Sequence, residues 1–259
     1  MAATDEQRGQ PSRDSQSADS QAEPTCTYSP TFESDTRGYQ YFPERFKRKD
    51  KPASWSETLF NNQLKCENML QVALKNPIAK VLLEALKEAG CPMVKERHFS
   101  CEECTRKVAG GFDSETCQLV LCKNVISNQS LMNRIVNHEL IHAYDHCRGQ
   151  VDWFGSMDHL ACSEIRAANL SGECSFFNEL FRLNFGFKRH HQACARRHAL
   201  RSVMAVRQVS WVEVKSSVDR VLQRCLNDLE PFGCIPSTKC RADHAFRTLQ
   251  NRTRYYANL

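Results

Sequence analysis

The string His138-Glu139-Leu140-Ile141-His142 constrains this chain more than any other five residues in it. Two histidines four apart act together only on a helix, where positions i and i+4 share one face a turn apart. Both imidazoles can then reach one zinc ion at about 2.0–2.1 Å. Glu139 points to the side of that ion, where it can take a proton from activated water and later hand it to a departing amine. The flanking residues agree with a helix over about 130–148, because Leu131, Ile135, Val136, Leu140 and Ala143 line one side of it.

A zinc ion with a hydrolytic role takes three protein ligands and keeps a fourth position for water. His146 and Asp145 continue the same helix. A residue four beyond His142 lies about 6 Å further along the axis, and one ion does not readily bind three successive turns. His146 is therefore read as a supporting or structural side chain. A second helix is expected over about 156–170, with Leu160, Ala161, Ile165, Ala167 and Ala168 on its apolar side. Glu164 lies on that helix among small residues that allow close approach, the arrangement of thermolysin-like peptidases, and is the favoured third ligand. His159, at the helix start, is the alternative. Asp145 or Asn169 could orient a ligating imidazole through its second nitrogen.

Around this pair of helices the chain reads in sections. Residues 1–53 are dominated by Gln, Ser, Asp, Glu, Pro and Thr and are expected to form a disordered arm. The folded domain is expected over 54–259, with Ser54 or Ser56 able to cap its first helix. Apolar residues recur at helical spacing from Leu59 to Leu86, interrupted by Pro77, which implies two helices or one kinked helix ended by Gly90-Cys91-Pro92. Between Met93 and Asn124 the pattern becomes β-prone. Gly110-Gly111 reads as a turn, and Leu119-Val120-Leu121 as a strand just before the histidine helix. Further helices are expected over 176–185, 189–206 and 212–229, while the last thirty residues resist assignment. The fold class is α+β, mainly helical, with a small sheet before the helix of 138–142.

Fourteen cysteines in 259 residues, an even number, favour a disulfide framework and so an oxidising compartment. Cys101, Cys104, Cys117 and Cys122 could alternatively hold a second, structural zinc ion. No run of about eighteen apolar residues offers a membrane span. The N-terminus lacks the apolar stretch of a secretory signal, and Asp5, Glu6, Asp14, Asp19 and Glu23 break the acid-poor pattern of a transit peptide. A formal charge of +5 is mild. The basic stretch Lys188-Arg189-His190-His191, with Arg196, Arg197, His198 and Arg201, is read first as a solvated helix face. Contact with anionic lipid or phosphate is the weaker reading, and no direct nucleic-acid binding is expected.

Longer strings carry more information than the pentapeptide. The segment 138–148 (His-Glu-Leu-Ile-His-Ala-Tyr-Asp-His-Cys-Arg), Val151-Asp152-Trp153, the segment 160–174 and His98-Phe99-Ser100-Cys101-Glu102-Glu103-Cys104 resemble the mitochondrial inner-membrane metalloproteases. The Gly110-Gly111-Phe112-Asp113 segment and the ending around Asn251–Tyr256 fit the same family. The resemblance spans about residues 55–259. It implies a zincin-like metallopeptidase with His138 and His142 as zinc ligands and Glu139 as the catalytic glutamate. It also implies a peripheral position on the intermembrane-space face of the inner membrane, and cysteines oxidised on import without a cleaved presequence. The implied substrate is a protein, subunit 6 of the ATP synthase F0 sector, which fungal members mature and help to assemble. A non-proteolytic assembly role is the second function implied. Animal members are also described as partners of the Ku protein and DNA-dependent protein kinase, which would place the chain in the nucleus.

Overall fold

The computed structural model describes residues 62–104, 108–174 and 187–256. The expected arm boundary at 53/54, the cap at Ser54 or Ser56 and the helix over 176–185 lie outside these residues.

Pro77 divides the first helical stretch rather than kinking it. Helix α1 runs Asn62–Ala73 and α2 runs Pro77–Glu88, with the proline ring in the first turn of α2, where no backbone donor is needed. Asn76 caps α2 by accepting from the Ala79 N–H at 3.0 Å. A single turn, α3 (Lys95–His98), leads into a sheet of β1 (Phe99–Glu102), β2 (Gly110–Asp113) and β3 (Gln118–Cys122). The order is β1-β3-β2, with β1 parallel and β2 antiparallel to β3.

Gly110-Gly111 is not the turn that its composition suggests. Both residues lie inside β2, paired with Leu121 and Val120. The reversal comes later, at residues 114–117, where the Asp113 carboxylate accepts from the Glu115 N–H (3.0 Å) and the Thr116 hydroxyl (2.5 Å) and Cys117 takes φ 53°. The glycines serve close approach instead. A Cβ on Gly110 would stand 2.8 Å from Ile135 Cγ2 and 2.9 Å from the Val120 carbonyl oxygen, so only glycine lets β2 lie this close to the following helix.

That helix, α4 (Gln129–Gly149), is capped by the Asn128 side chain and ends at Gln150 in the left-handed region. Helices α5 (Met157–Leu170), α6 (Phe187–Val206) and α7 (Trp211–Asn227) follow, α7 opened by a capping box between Ser210 and Glu213. The C-terminal stretch that resisted assignment forms α8 (Lys239–Tyr256), which packs on α2. Its amphipathic face has little driving force alone and gains its partner only in the fold.

Two apolar cores result. One gathers α1, α2, the sheet and α4 with Phe232, Ala245 and Leu249; the other gathers α5, α6 and α7. They meet where α4 crosses α5. Among the described residues, five disulfides with both partners described staple the layers: Cys66–Cys101, Cys91–Cys147, Cys104–Cys122, Cys162–Cys225 and Cys174–Cys194. Each cross-link restricts the unfolded chain enough to stabilise the fold by about 2–4 kcal/mol. The alternative of a structural zinc held by Cys101, Cys104, Cys117 and Cys122 is overturned. Cys101 bonds Cys66, Cys104 bonds Cys122, and Cys117 is also disulfide-bonded. Cys234 and Cys240 are free thiols.

Replacing Gly110 by Ala should cost about 1–3 kcal/mol in chemical denaturation, the usual range for overpacking. Gly111→Ala should be milder, since a Cβ there meets nothing within 4 Å. Equal losses at the two positions would contradict the close-approach account.

Candidate active site

The wall of α4 that faces α5 carries His138 and His142 one turn apart, ring centroids 4.8 Å from each other. Glu164 comes from the middle of α5, whose fully buried Ala167 packs in the core on the α4 side while Ala161 and Ala168 pack toward α6 and α7. Its Oε2 lies 3.3 Å from His138 Nε2 and its Oε1 3.7 Å from His142 Nε2. The donor atoms of the three residues all lie within 4.8 Å of one another, a group that could hold a metal ion. Edges of a zinc tetrahedron with bonds of about 2.0–2.1 Å measure about 3.3 Å, so the spacing fits such an ion without rearrangement of the backbone. Glu164 Oε2 is buried and, despite the nearby imidazole, has no partner in hydrogen-bonding geometry. A buried carboxylate oxygen in that state calls for a cation or a proton.

The other expected candidates fall elsewhere. His159 is turned away, its Nδ1 accepting from the Asp152 N–H at 3.2 Å. His146 Nδ1 accepts from the Trp153 indole N–H at 3.0 Å, and its ring packs against Phe112, so it supports the wall. Asn169 does not orient a histidine of the cluster. It accepts at Oδ1 from His191 (2.7 Å) and donates to the Leu226 carbonyl (3.1 Å), tying α5 to α6 and α7.

Asp145 reaches His142, but through a relay. Ser163 Oγ stands 2.8 Å from His142 Nδ1 and donates to Asp145 Oδ2 at 3.0 Å. Arg166 Nε holds both oxygens of Asp145, at 2.9 and 3.1 Å. The same guanidinium donates to the Asp228 and Glu230 carbonyl oxygens at 2.5 Å each and pairs with the Asp228 carboxylate. On the first histidine the corresponding partner is Glu173, just beyond α5, whose Oε2 lies 3.2 Å from His138 Nδ1 and 3.4 Å from His198 Nδ1 of α6. Spacing rules do not find Ser163 and Glu173, which meet the histidines through non-local contacts, or Arg166, which acts on them only through Asp145. The Cys174–Cys194 bridge adjoins Glu173 and fixes its loop to α6.

Electrostatics differ sharply around this ring. Burial, with the nearby charges of Glu164 and Glu173, pushes Glu139 up to about 7, while the imidazole of His138 and a hydrogen bond from the Phe112 N–H act the other way. Burial pulls His142 down to about 4, which keeps the imidazole neutral with a lone pair free. His138 is also penalised by burial, yet Glu173 and Glu164 outweigh this and hold it well above the ordinary histidine value. Glu173 stays ionised, drawn down to about 2 by His138 and His198 against the cost of burial. The ring floors a cleft of about 430 Å³, walled by β2 on one side and by Trp153, Phe154, His198, Ser202 and Arg207 on the other. The basic stretch on α6 is therefore not one solvated face: His191 and His198 turn inward, and Arg196 pairs with Asp219.

Two imidazoles, one buried and one half-buried, and a carboxylate at metal-binding distances, beside a second carboxyl group of raised pKa, define a hydrolase-like site. Residues 64–233 match the Peptidase M76 family, and the chain belongs to that family. Among its relatives are proteins named mitochondrial inner membrane protease ATP23 homolog. That of Xenopus laevis is 56% identical over 229 residues, covering 88% of this chain and 97% of the relative. That of Homo sapiens is 52% identical over 221 residues, 85% and 90% of the two chains. A fungal mitochondrial inner membrane protease ATP23, from Coccidioides immitis, is 38% identical over 172 residues, 65% and 71% of the two chains. No solved structure matches the chain.

Arg166 is 1% exposed and neutralises buried Asp145. Arg166→Met should destabilise the fold by about 3–5 kcal/mol in urea titration, the cost of leaving a buried charge unpaired. Converting Asp145 to Asn in the same chain should recover part of that loss. A single-variant loss under about 1 kcal/mol would mean that the pair is not a structural hub.

Proposed function

We propose that this protein is a zinc-dependent metalloendopeptidase with a zincin-like fold. In this reading His138, His142 and Glu164 hold the ion and Glu139 is the catalytic residue. The observation that carries the proposal is the convergence of three ligand atoms within 4.8 Å on two packed helices, with Glu164 Oε2 unpartnered among them. Bound there, zinc supplies Lewis acidity that polarises the scissile carbonyl and makes water acidic enough to attack near neutral pH. Everything else is work for the chain. Glu139 lies beside the two histidines with its carboxyl raised to about 7, while positive charge in the cradle favours its ionised form. It takes the proton of the attacking water and returns it to the departing amine.

Substrate orientation falls to β2. This strand is at the sheet edge, pairs only β3 among the described strands, and lines the cleft from Gly110 to Asp113. An extended peptide can add to its outer edge by main-chain hydrogen bonds, competing with Glu139 for the Phe112 N–H, which suits a protease that must recognise backbone before side chain. Trp153, edge-on to His142 at 5.7 Å between centroids, helps exclude water from the opposite side.

The compartment reading rests on two supports. Relatives carry the name mitochondrial inner membrane protease, and disulfides of the number found here persist in oxidising spaces. We place the protein on the intermembrane-space side of the inner membrane, held peripherally; no helix among the described residues is long and apolar enough to cross a membrane. The substrate proposed is the exposed segment of an ATP synthase F0 subunit. The disulfides weigh against a reduced nuclear pool engaged with Ku and DNA-dependent protein kinase. Assembly help independent of cleavage is separated from proteolysis by one variant.

Glu139→Gln should retain zinc and lower cleavage of an F0-subunit segment about 10²–10⁴-fold, the usual share of a positioned acid–base group. Full cleavage by that variant sinks the catalytic assignment, and ATP synthase assembly that survives it marks a separate chaperone role. Metal analysis should show zinc loss in Glu164→Gln and none in His159→Ala; the reverse pattern would reassign the third ligand. Ser163→Ala should weaken zinc affinity about 10–100-fold by freeing the His142 ring, with the fold preserved.

A further inference from the structure

At the mouth of the cleft the surface changes from polar to apolar. Phe154 is 70% exposed and Val206 57% exposed, and both line the opening. Just beyond, at the turn from α6 into α7, Trp211 is 51% exposed and Val212 72% exposed, preceded by Met204 on the last turn of α6. Exposed large apolar residues elsewhere are scattered along the chain, as on any protein surface. Here Met204, Val206, Trp211 and Val212 lie at the corner between α6 and α7, which Arg207 joins to the loop carrying Phe154. The Arg207 guanidinium lies 5.9 Å over the Phe154 ring and bonds the Trp153 carbonyl oxygen.

On its α6–α7 side the tip carries only positive charge, while the Phe154 loop holds one exposed acid, Asp152, whose carboxylate accepts from the Gly155 N–H at 2.7 Å. Residues 201–212 include Arg201 and Arg207 and no Asp or Glu. Lys215 follows on the exposed face of α7. The nearest acid, Glu213, is committed to the helix cap, its carboxylate accepting from the Ser210 N–H (3.0 Å) and hydroxyl (2.8 Å). Asp219 is paired with Arg196 and Lys215. An aromatic and aliphatic tip backed by cations matches a lipid interface, where rings enter the headgroup boundary and Arg and Lys meet anionic headgroups. Exposed Trp, Phe and Val of this kind mark a protein or membrane interaction surface, and the cations beside them favour a bilayer with anionic headgroups.

We propose that the α6–α7 turn, with Phe154, is the surface by which this protein docks on an anionic bilayer, setting the cleft mouth against the membrane. The proposal deepens the peptidase reading above and rests on it for its meaning. With the mouth at the bilayer, β2 is within reach of chain segments only where they leave the lipid, so substrates are membrane-protein segments close to the surface rather than soluble proteins at large.

The test is flotation of the full-length, oxidised protein with phosphatidylcholine vesicles, with and without phosphatidylglycerol. Trp211→Ser combined with Val212→Ser removes the tip without touching the cleft, and Val72→Ser, a 55% exposed aliphatic on α1, serves as control. The parent and the control should float with anionic vesicles and less with neutral ones. The double variant should lose about tenfold in vesicle affinity while keeping zinc content and cleavage of a soluble peptide. Because any contribution from residues 1–61 is common to all three proteins, the difference reads the turn alone. Equal flotation of parent and double variant overturns the proposal, as does a parent that does not float. Loss of soluble-peptide cleavage with vesicle binding intact also overturns it, making the turn a substrate contact. A protein that binds no zinc yet floats normally would remove the peptidase reading and leave the docking surface standing.

Discussion

The approach of α4 to α5 governs this structure. Both helices carry polar residues into the contact, and neither could bury them alone. Ala167 on α5 leaves room for close approach, and the rest of the contact is filled by a continuous polar chain from His142 through Ser163 and Asp145 to Arg166. Arg166 then reaches the two carbonyls beyond α7, so one guanidinium ties the histidine helix, its neighbour and the segment leading to α8. A buried ion pair of this kind contributes little net stability against a hydrophobic substitute. What it contributes here is register: only one alignment of α4 on α5 satisfies every member, and in that alignment Glu164 faces both histidines.

The disulfides act on the same seam from outside. Cys91–Cys147 anchors the end of α4, Cys162–Cys225 fastens α5 to α7, and Cys174–Cys194 holds the loop bearing Glu173 against α6. A domain with two modest cores joined at a polar seam gains from such restraint, since the seam itself buries charge and offers little hydrophobic return. The fold is thus suited to an oxidising compartment by its architecture as well as by its cysteine count.

Much of this could be read in advance, and the exceptions are instructive. The helices α4, α5, α6 and α7 were marked within a few residues by apolar periodicity, and the Pro77 break by its chemistry. Gly110-Gly111 misled because glycine marks both turns and close approaches, and only the position of Ile135 distinguishes the two. The four cysteines at 101, 104, 117 and 122 suggested a local cluster, whereas Cys101 pairs with Cys66 on α1, thirty-five residues away. The basic stretch on α6 looked like one face, yet His191 and His198 turn inward to partners on and just after α5.

By itself the sequence determined the local part of the site: a five-residue string sets His138 and His142 on one helical face with Glu139 beside them, because helix geometry converts spacing into direction. Family membership follows from the sequence as well. Tertiary structure alone decided which residues complete the ring. Glu164 rather than His159 faces the histidines, Asp145 acts through Ser163, and Glu173 serves His138, because these contacts depend on how two helices and a stapled loop pack. No periodicity along the chain records that packing; it is fixed by small side chains, one buried arginine and the cross-links that hold them.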